Sequence, residues 1–209
     1  MQRSTFAAMV IAAGSAGAAS AALLTNGDFE AGNTGFASDY AYRVVSDPPH
    51  AGQYGVTTSS FAWTNFWGTI ATDHTPGAGD QFLIADIGAD LSQAIWRQTV
   101  AVAANTEMTL SAWLATWTTF PAATLRIDVN GSTVGTWAAP GNAAWAQYTA
   151  GWNTGASTSA TITIYSATYH QPGGDVAIDD IELVPSPGAA SLLCVSALIA
   201  GGRRRRAVR

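Results

Sequence analysis

Between residues 81 and 183, apolar side chains recur at every second position, and short clusters of Gly, Pro, Asn and Thr interrupt them. Period two marks strands with one buried face, because successive side chains leave a strand on opposite sides. The runs 81–87, 96–102, 108–117, 124–129, 147–152, 160–165 and 175–183 are the seven clearest strands. Asn130-Gly131 predicts a tight hairpin turn into a further strand over 133–137. No stretch between these turns sustains a helical period. Short strands at this spacing predict an all-β, antiparallel, two-sheet sandwich.

The pattern changes at both ends. Arg3 is the only charge before an apolar run over 6–13, after which small residues continue to Ala22. This is the layout of a secretory signal peptide, and Ala19-Ser20-Ala21 or Ser20-Ala21-Ala22 supplies the small-x-small site for signal peptidase. Residues 1–22 are therefore expected to be a leader, and the domain to span 23–184. Beyond it, Pro185-Ser186-Pro187-Gly188 is expected to break the last strand, and 189–202 runs for 14 residues without a charge before Arg203 to Arg206. As a helix those residues would reach about 21 Å, short of a bilayer core of about 30 Å. Arginines so placed stay on the cytoplasmic side and hold the tail at the membrane.

Composition sharpens this picture. The domain carries only Arg43, Arg97 and Arg126 against all 14 acidic residues, a net charge of −11, while the whole chain stands at −5. Such a surface repels phosphate backbones and argues against nucleic acid as partner, while remaining compatible with cations and neutral sugars. Cys194, the only cysteine, falls in the tail. An exported domain without disulfides must rely on its core or on a bound metal.

Two resemblances follow from particular residues. The Pro-x-Pro element, short apolar helix and terminal arginines resemble the PEP-CTERM sorting signals of bacteria that carry an exosortase, although Ser186 stands where those signals usually have a glutamate. The resemblance implies an exosortase-like partner; an uncut tail anchor is the alternative, and both place the protein at the cell envelope. The second resemblance spans nearly the whole domain. It rests on the opening Asn26-Gly27-Asp28-Phe29-Glu30, the closing Ile178-Asp179-Asp180-Ile181-Glu182-Leu183, and the intervening Gly79-Asp80-Gln81-Phe82, Arg97-Gln98-Thr99-Val100 and Met108-Thr109-Leu110-Ser111-Ala112-Trp113. These resemble galactose-binding-like domains, including the CenC-type carbohydrate-binding modules. That family implies a jelly roll whose first and last strands are adjacent. It also implies a structural Ca2+ shared by those strands, with Glu30 and Asp179 at the acidic ligand positions and Asp28 beside them. Calcium prefers six to eight oxygens, which carboxylates and carbonyls can supply. The alternative is that these carboxylates cap turns or face solvent.

Aromatic residues give the other candidate chemistry. All eight tryptophans lie in the domain. In the strand over 108–117, Leu110, Ala112 and Leu114 share one face while Trp113 and Trp117 share the other. If the aliphatic face is core, the two indoles line the outside, where a flat ring can pack on the C–H groups of a sugar. Arg126 and Asp128 alternate away from Leu125, Ile127 and Val129 and would add polar contacts if they share that sheet. Burial of the tryptophans in the core is the rival reading. His50, His74 and His170 come with no Gly-x-Ser-x-Gly element, metal-binding His pair or phosphate loop, so no enzyme is expected. Two functions remain: an envelope-anchored module that binds glycan or exopolysaccharide, and a structural surface protein without a specific ligand.

Overall fold

The structure is a computed structural model that describes residues 22–65, 73–75, 80–116, 121–141, 144–170 and 173–186. The expected leader up to residue 21, Trp117, and the tail from 187 onward lie outside the described residues. Among those described, no helix is long and apolar enough to cross a membrane.

Ten strands and one helical turn follow in the order β1 (Ala41–Tyr42), β2 (Gln53–Thr57), α1 (Ser60–Trp63), β3 (Phe82–Asp86), β4 (Ala94–Ala101), β5 (Glu107–Ala115), β6 (Thr124–Val129), β7 (Ser132–Ala138), β8 (Ala146–Asn153), β9 (Ser159–Ser166) and β10 (Val176–Pro185). They form a six-stranded sheet, β1-β2-β3-β10-β5-β8, and a four-stranded sheet, β4-β9-β6-β7. All pairings are antiparallel except β1 with β2. This is the expected two-sheet jelly-roll sandwich.

Alternation accounts for the core. Leu110, Ala112 and Leu114 of β5, Leu83 and Ala85 of β3, and Val176 and Ile178 of β10 face Leu125, Ile127, Val129, Ile162 and Ile164 of the other sheet, all of them buried. Trp96 and Trp137 belong to this core, so part of the tryptophan complement follows the burial reading. The β6–β7 turn has Asn130 at φ 51 and Gly131 at φ 79. That double left-handed geometry is what an Asn-Gly hairpin requires.

The two terminal motifs meet. Leu23 N donates to Leu183 O at 3.0 Å and Ile181 N to Gly27 O at 2.9 Å, which lays the opening segment along β10. A Cβ on Gly27 would fall 2.0 Å from Ile181 O, so only glycine permits this approach. Asn26 closes its own loop by donating to Gly32 O and Thr34 O and accepting from Ala31 N. Phe29 is fully buried. In β10, the pairing with β5 shifts between Asp179 and Glu182, and Asp180 sits at φ 46. This β-bulge explains the spacing of the closing motif: Ile178 and Ile181, three apart, both enter the core because one extra residue is accommodated between them.

One boundary moves. β10 continues through Val184 and Pro185, which pair with Thr109 and Met108, and Ser186 N donates to Glu107 O. Pro185 is tolerated because the bond to β5 at this end of the strand is donated by Ser186 N and none is needed from the proline. β10 thus runs past 184, where Pro185 was expected to break it.

Candidate functional site

The outer face of the six-stranded sheet is divided in two. Toward β3, the side chains that alternate away from the core are apolar: Phe82 and Ile84, with Ala177 of β10 and Ala115 of β5, form a second buried cluster under Trp63 and against Trp145. The turn α1 holds Trp63 there. Ser59 caps it by accepting from Ala62 N at 3.1 Å, and Trp63 Nε1 donates to Arg43 O at 3.0 Å. Toward β8, the same face is polar. Directly paired residues of an antiparallel ladder share a side, so Gln147 lies beside Trp113, Thr149 and Glu182 beside Ser111, and Asn153 beside Glu107. Gln147, Thr149, Glu182, Asn153 and Glu107 are exposed.

Trp113 stands at the border between the two halves. It is half-buried on the face opposite Leu110, Ala112 and Leu114, as the alternation of β5 predicts. One face of its indole is occupied: the imidazole of His74 stacks on it with ring centroids 3.7 Å apart and planes 20° apart. His74 also meets Trp145 edge-on at 6.0 Å.

Around His74 is an acidic cluster that adjacency in the sequence did not reveal. His74 Nδ1 lies 2.6 Å from Asp180 Oδ2, and the Thr75 hydroxyl donates to the same oxygen. Asp179 is fully buried, accepting from His74 N at 3.1 Å and from Asp180 N at 2.8 Å. Burial, the carboxyl of Asp73 and the charge of Asp180 hold the Asp179 carboxyl well above the usual carboxylate range. The bulge creates this arrangement, since an uninterrupted strand would send Asp179 and Asp180 to opposite faces. A second acid pair closes the other end of β3 and β10. Asp86 and Asp175 lie carboxyl against carboxyl, with Asp86 raised to about 6 chiefly by burial and Asp175 to about 8 by burial and then by the charge of Asp86.

The structure distributes the other expected site residues differently from the sequence reading. Arg126 and Asp128 are on β6, in the four-stranded sheet, and so occupy the opposite outer face from Trp113; they do not join it. Alternation along one strand carries no information about which sheet the strand enters. There Arg126 lies over the Tyr165 ring at 4.4 Å, its Nε is 3.4 Å from Asp128 Oδ2, and Thr133 donates to Asp128 Oδ1 at 2.7 Å.

Asp28, Glu30 and Asp179 are not gathered as the resemblance implies. Asp28 is exposed. Glu30 Oε1 accepts from Gln81 N at 3.1 Å while its Oε2 is buried without a donor among the described residues. Asp179 is directed into the His74 cluster instead. The three side chains that do converge among the described residues, with ligand atoms within 4.8 Å of one another, are His74, Asp179 and Asp180. An imidazole in that set suits calcium poorly, and the expected calcium trio does not fit as a unit.

No protein-family model and no curated protein matches the chain. Solved structures do. TmCBM61, determined in complex with beta-1,4-galactotriose, is 16% identical, with 80% of this chain and 100% of that chain covered at a TM-score of 0.51. The tandem CBM22-1-CBM22-2 domain of Xyn10C from Paenibacillus barcinonensis is 16% identical over 82% of this chain, also at a TM-score of 0.51, and the chain spans 47% of its length. The EclA C-terminal domain, a sugar-binding protein, is 15% identical at a TM-score of 0.39, with 43% of this chain and 66% of that chain covered. Likeness at these identities is likeness of fold: the domain has the jelly-roll β-sandwich fold of carbohydrate-binding modules.

Proposed function

We propose that this protein is a non-catalytic module that binds glycan or exopolysaccharide through the outer face of its six-stranded sheet. The observation that carries the reading is the border position of Trp113. An indole lies beside an uncovered strip of hydroxyl, amide and carboxylate groups, Gln147, Thr149 and Glu182. A sugar needs both, an aromatic surface for its C–H groups and donors and acceptors for its hydroxyls. That a module of this fold is bound to a galactotriose supports the ligand class by analogy of fold.

The leader-like start and the arginine-closed tail support export and retention at the cell envelope, where a polysaccharide ligand is at hand. A structural role without a specific ligand would leave the polar strip without a purpose. The test is a glycan array probed with the purified protein, alongside Trp113→Ala. Selective binding to a set of polysaccharides that the variant loses supports the proposal. An array without signal sinks it.

A further inference from the structure

The cluster around His74 places three carboxylates and one imidazole against an apolar sheet face. His74 Nδ1 and one oxygen each from Asp179 and Asp180 lie within 4.8 Å of one another. Asp73 adds a fourth group. It is only 5% exposed, its carboxylate lies against that of Asp179, and neither of its oxygens accepts a hydrogen bond from a donor among the described residues. Carboxylates crowded out of water are costly unless positive charge reaches them. Among the described residues the ion pairs of arginine are made elsewhere, by Arg97 with Asp39 and by Arg126 with Asp128. Among the described residues, His74 is the basic side chain that reaches the cluster.

We propose that His74, Asp179 and Asp180, with the unpartnered carboxylate of Asp73 beside them, bind a divalent transition cation of the zinc class. The donor chemistry decides the class. One imidazole nitrogen with carboxylate oxygens is a zinc-type set, whereas calcium takes six to eight oxygens. The dimensions are of the right order for His74, Asp179 and Asp180, whose ligand atoms lie within 4.8 Å of one another, since ligands about 2.1 Å from a common ion lie at most roughly 4.2 Å apart. Orientation is already supplied. The His74 ring is held between the stacked Trp113 and the edge-on Trp145, with Nδ1 turned to Asp180. The bulge at Asp180 brings two successive carboxylates to one side of the sheet, which a regular strand cannot do.

The experiment is calorimetric titration of Zn2+ into the chelator-stripped, tag-free protein, repeated with His74→Ala and Asp180→Asn. One zinc per chain is expected, weakened roughly tenfold or more in each variant, with Ca2+ at the same concentration unable to displace it. Because a variant could lose its fold, Co2+ quenching of tryptophan emission gives a second reading. Quenching should be strong in the native protein and reduced in Trp113→Phe, which leaves every ligand in place. Absence of stoichiometric zinc, binding unchanged in both variants, displacement by equimolar calcium, or quenching indifferent to Trp113→Phe would each overturn the proposal.

Discussion

His74 stacks its imidazole on the indole of Trp113, ring centroids 3.7 Å apart and planes 20° apart, so one face of the proposed sugar platform is covered in the free protein. A sugar ring and an imidazole compete for the same aromatic surface. Replacing His74 with Ala should therefore uncover the indole and tighten glycan binding several-fold, read as a lower Kd by calorimetry in the presence of chelator. Weaker binding would make His74 a contact of the sugar rather than its competitor.

The acid pair at the far end of β3 and β10 sets a pH dependence. Asp86 and Asp175 have folded-state pKa values raised from 3.8 to about 6 and about 8. The folded chain binds these protons more tightly than the unfolded one, so the stabilisation is fully present below about pH 4 and is lost as pH rises through 6 and 8. The nearby His50 acts in the opposite sense on Asp86. Thermal midpoints measured from pH 5 to pH 9 should fall with rising pH. In Asp175→Asn, which ends the mutual repulsion, the fall should be shallower. An unchanged slope would show that the pair does not share its proton.

Gly27 and Gly131 should differ in a diagnostic way. At Gly131, φ is 79 and nothing lies within 4 Å of an added Cβ, so Ala there meets only the cost of a left-handed conformation, roughly 1 kcal/mol. At Gly27 the same methyl meets the Ile181 carbonyl at 2.0 Å and must push the opening segment off β10. Gly27→Ala should cost distinctly more than Gly131→Ala in chemical denaturation. Equal costs would mean that the contact between the two termini contributes little.

Much of the sandwich was legible because alternation is local. The β6–β7 hairpin followed from Asn130-Gly131, and the split of β5 into a Leu110-Ala112-Leu114 face and a Trp113 face followed from period two. Two short strands were not. In β2 the run contains Gly55, which spares a collision with Trp63 Nε1 at 2.4 Å but breaks the apolar pattern, and β1 has only Ala41 and Tyr42. Sheet membership was also hidden, since it depends on pairings between distant segments; that is why Arg126 and Asp128 could not be assigned to a face. The His74 cluster was missed for a different reason. Adjacency of Asp179 and Asp180 argues for opposite faces on a regular strand, and the bulge reverses that inference. Its one signal was the three-residue gap between Ile178 and Ile181 in an otherwise two-residue pattern.

Retention at the envelope has its own test, now placed by the fold. Truncation after Ser186 keeps β10 and its hydrogen bond to Glu107 O intact, so it should release a folded domain into the medium while the full chain stays with cells. Truncated protein found on cells would mean that the tail does not anchor it.

A sugar platform at Trp113, unlike a core tryptophan, separates affinity from stability. Its most direct measurement pairs affinity with stability in Trp113→Ala. Affinity for whichever polysaccharide the native protein selects should fall at least tenfold, because a sugar site rests on few aromatic contacts. The loss of stability should stay below about 3 kcal/mol, since a ring at the surface leaves no sealed cavity; Leu114→Ala in the core, by comparison, should cost about 2–5 kcal/mol. Unchanged affinity in a folded variant, or a destabilisation as large as that of a core deletion, would contradict it.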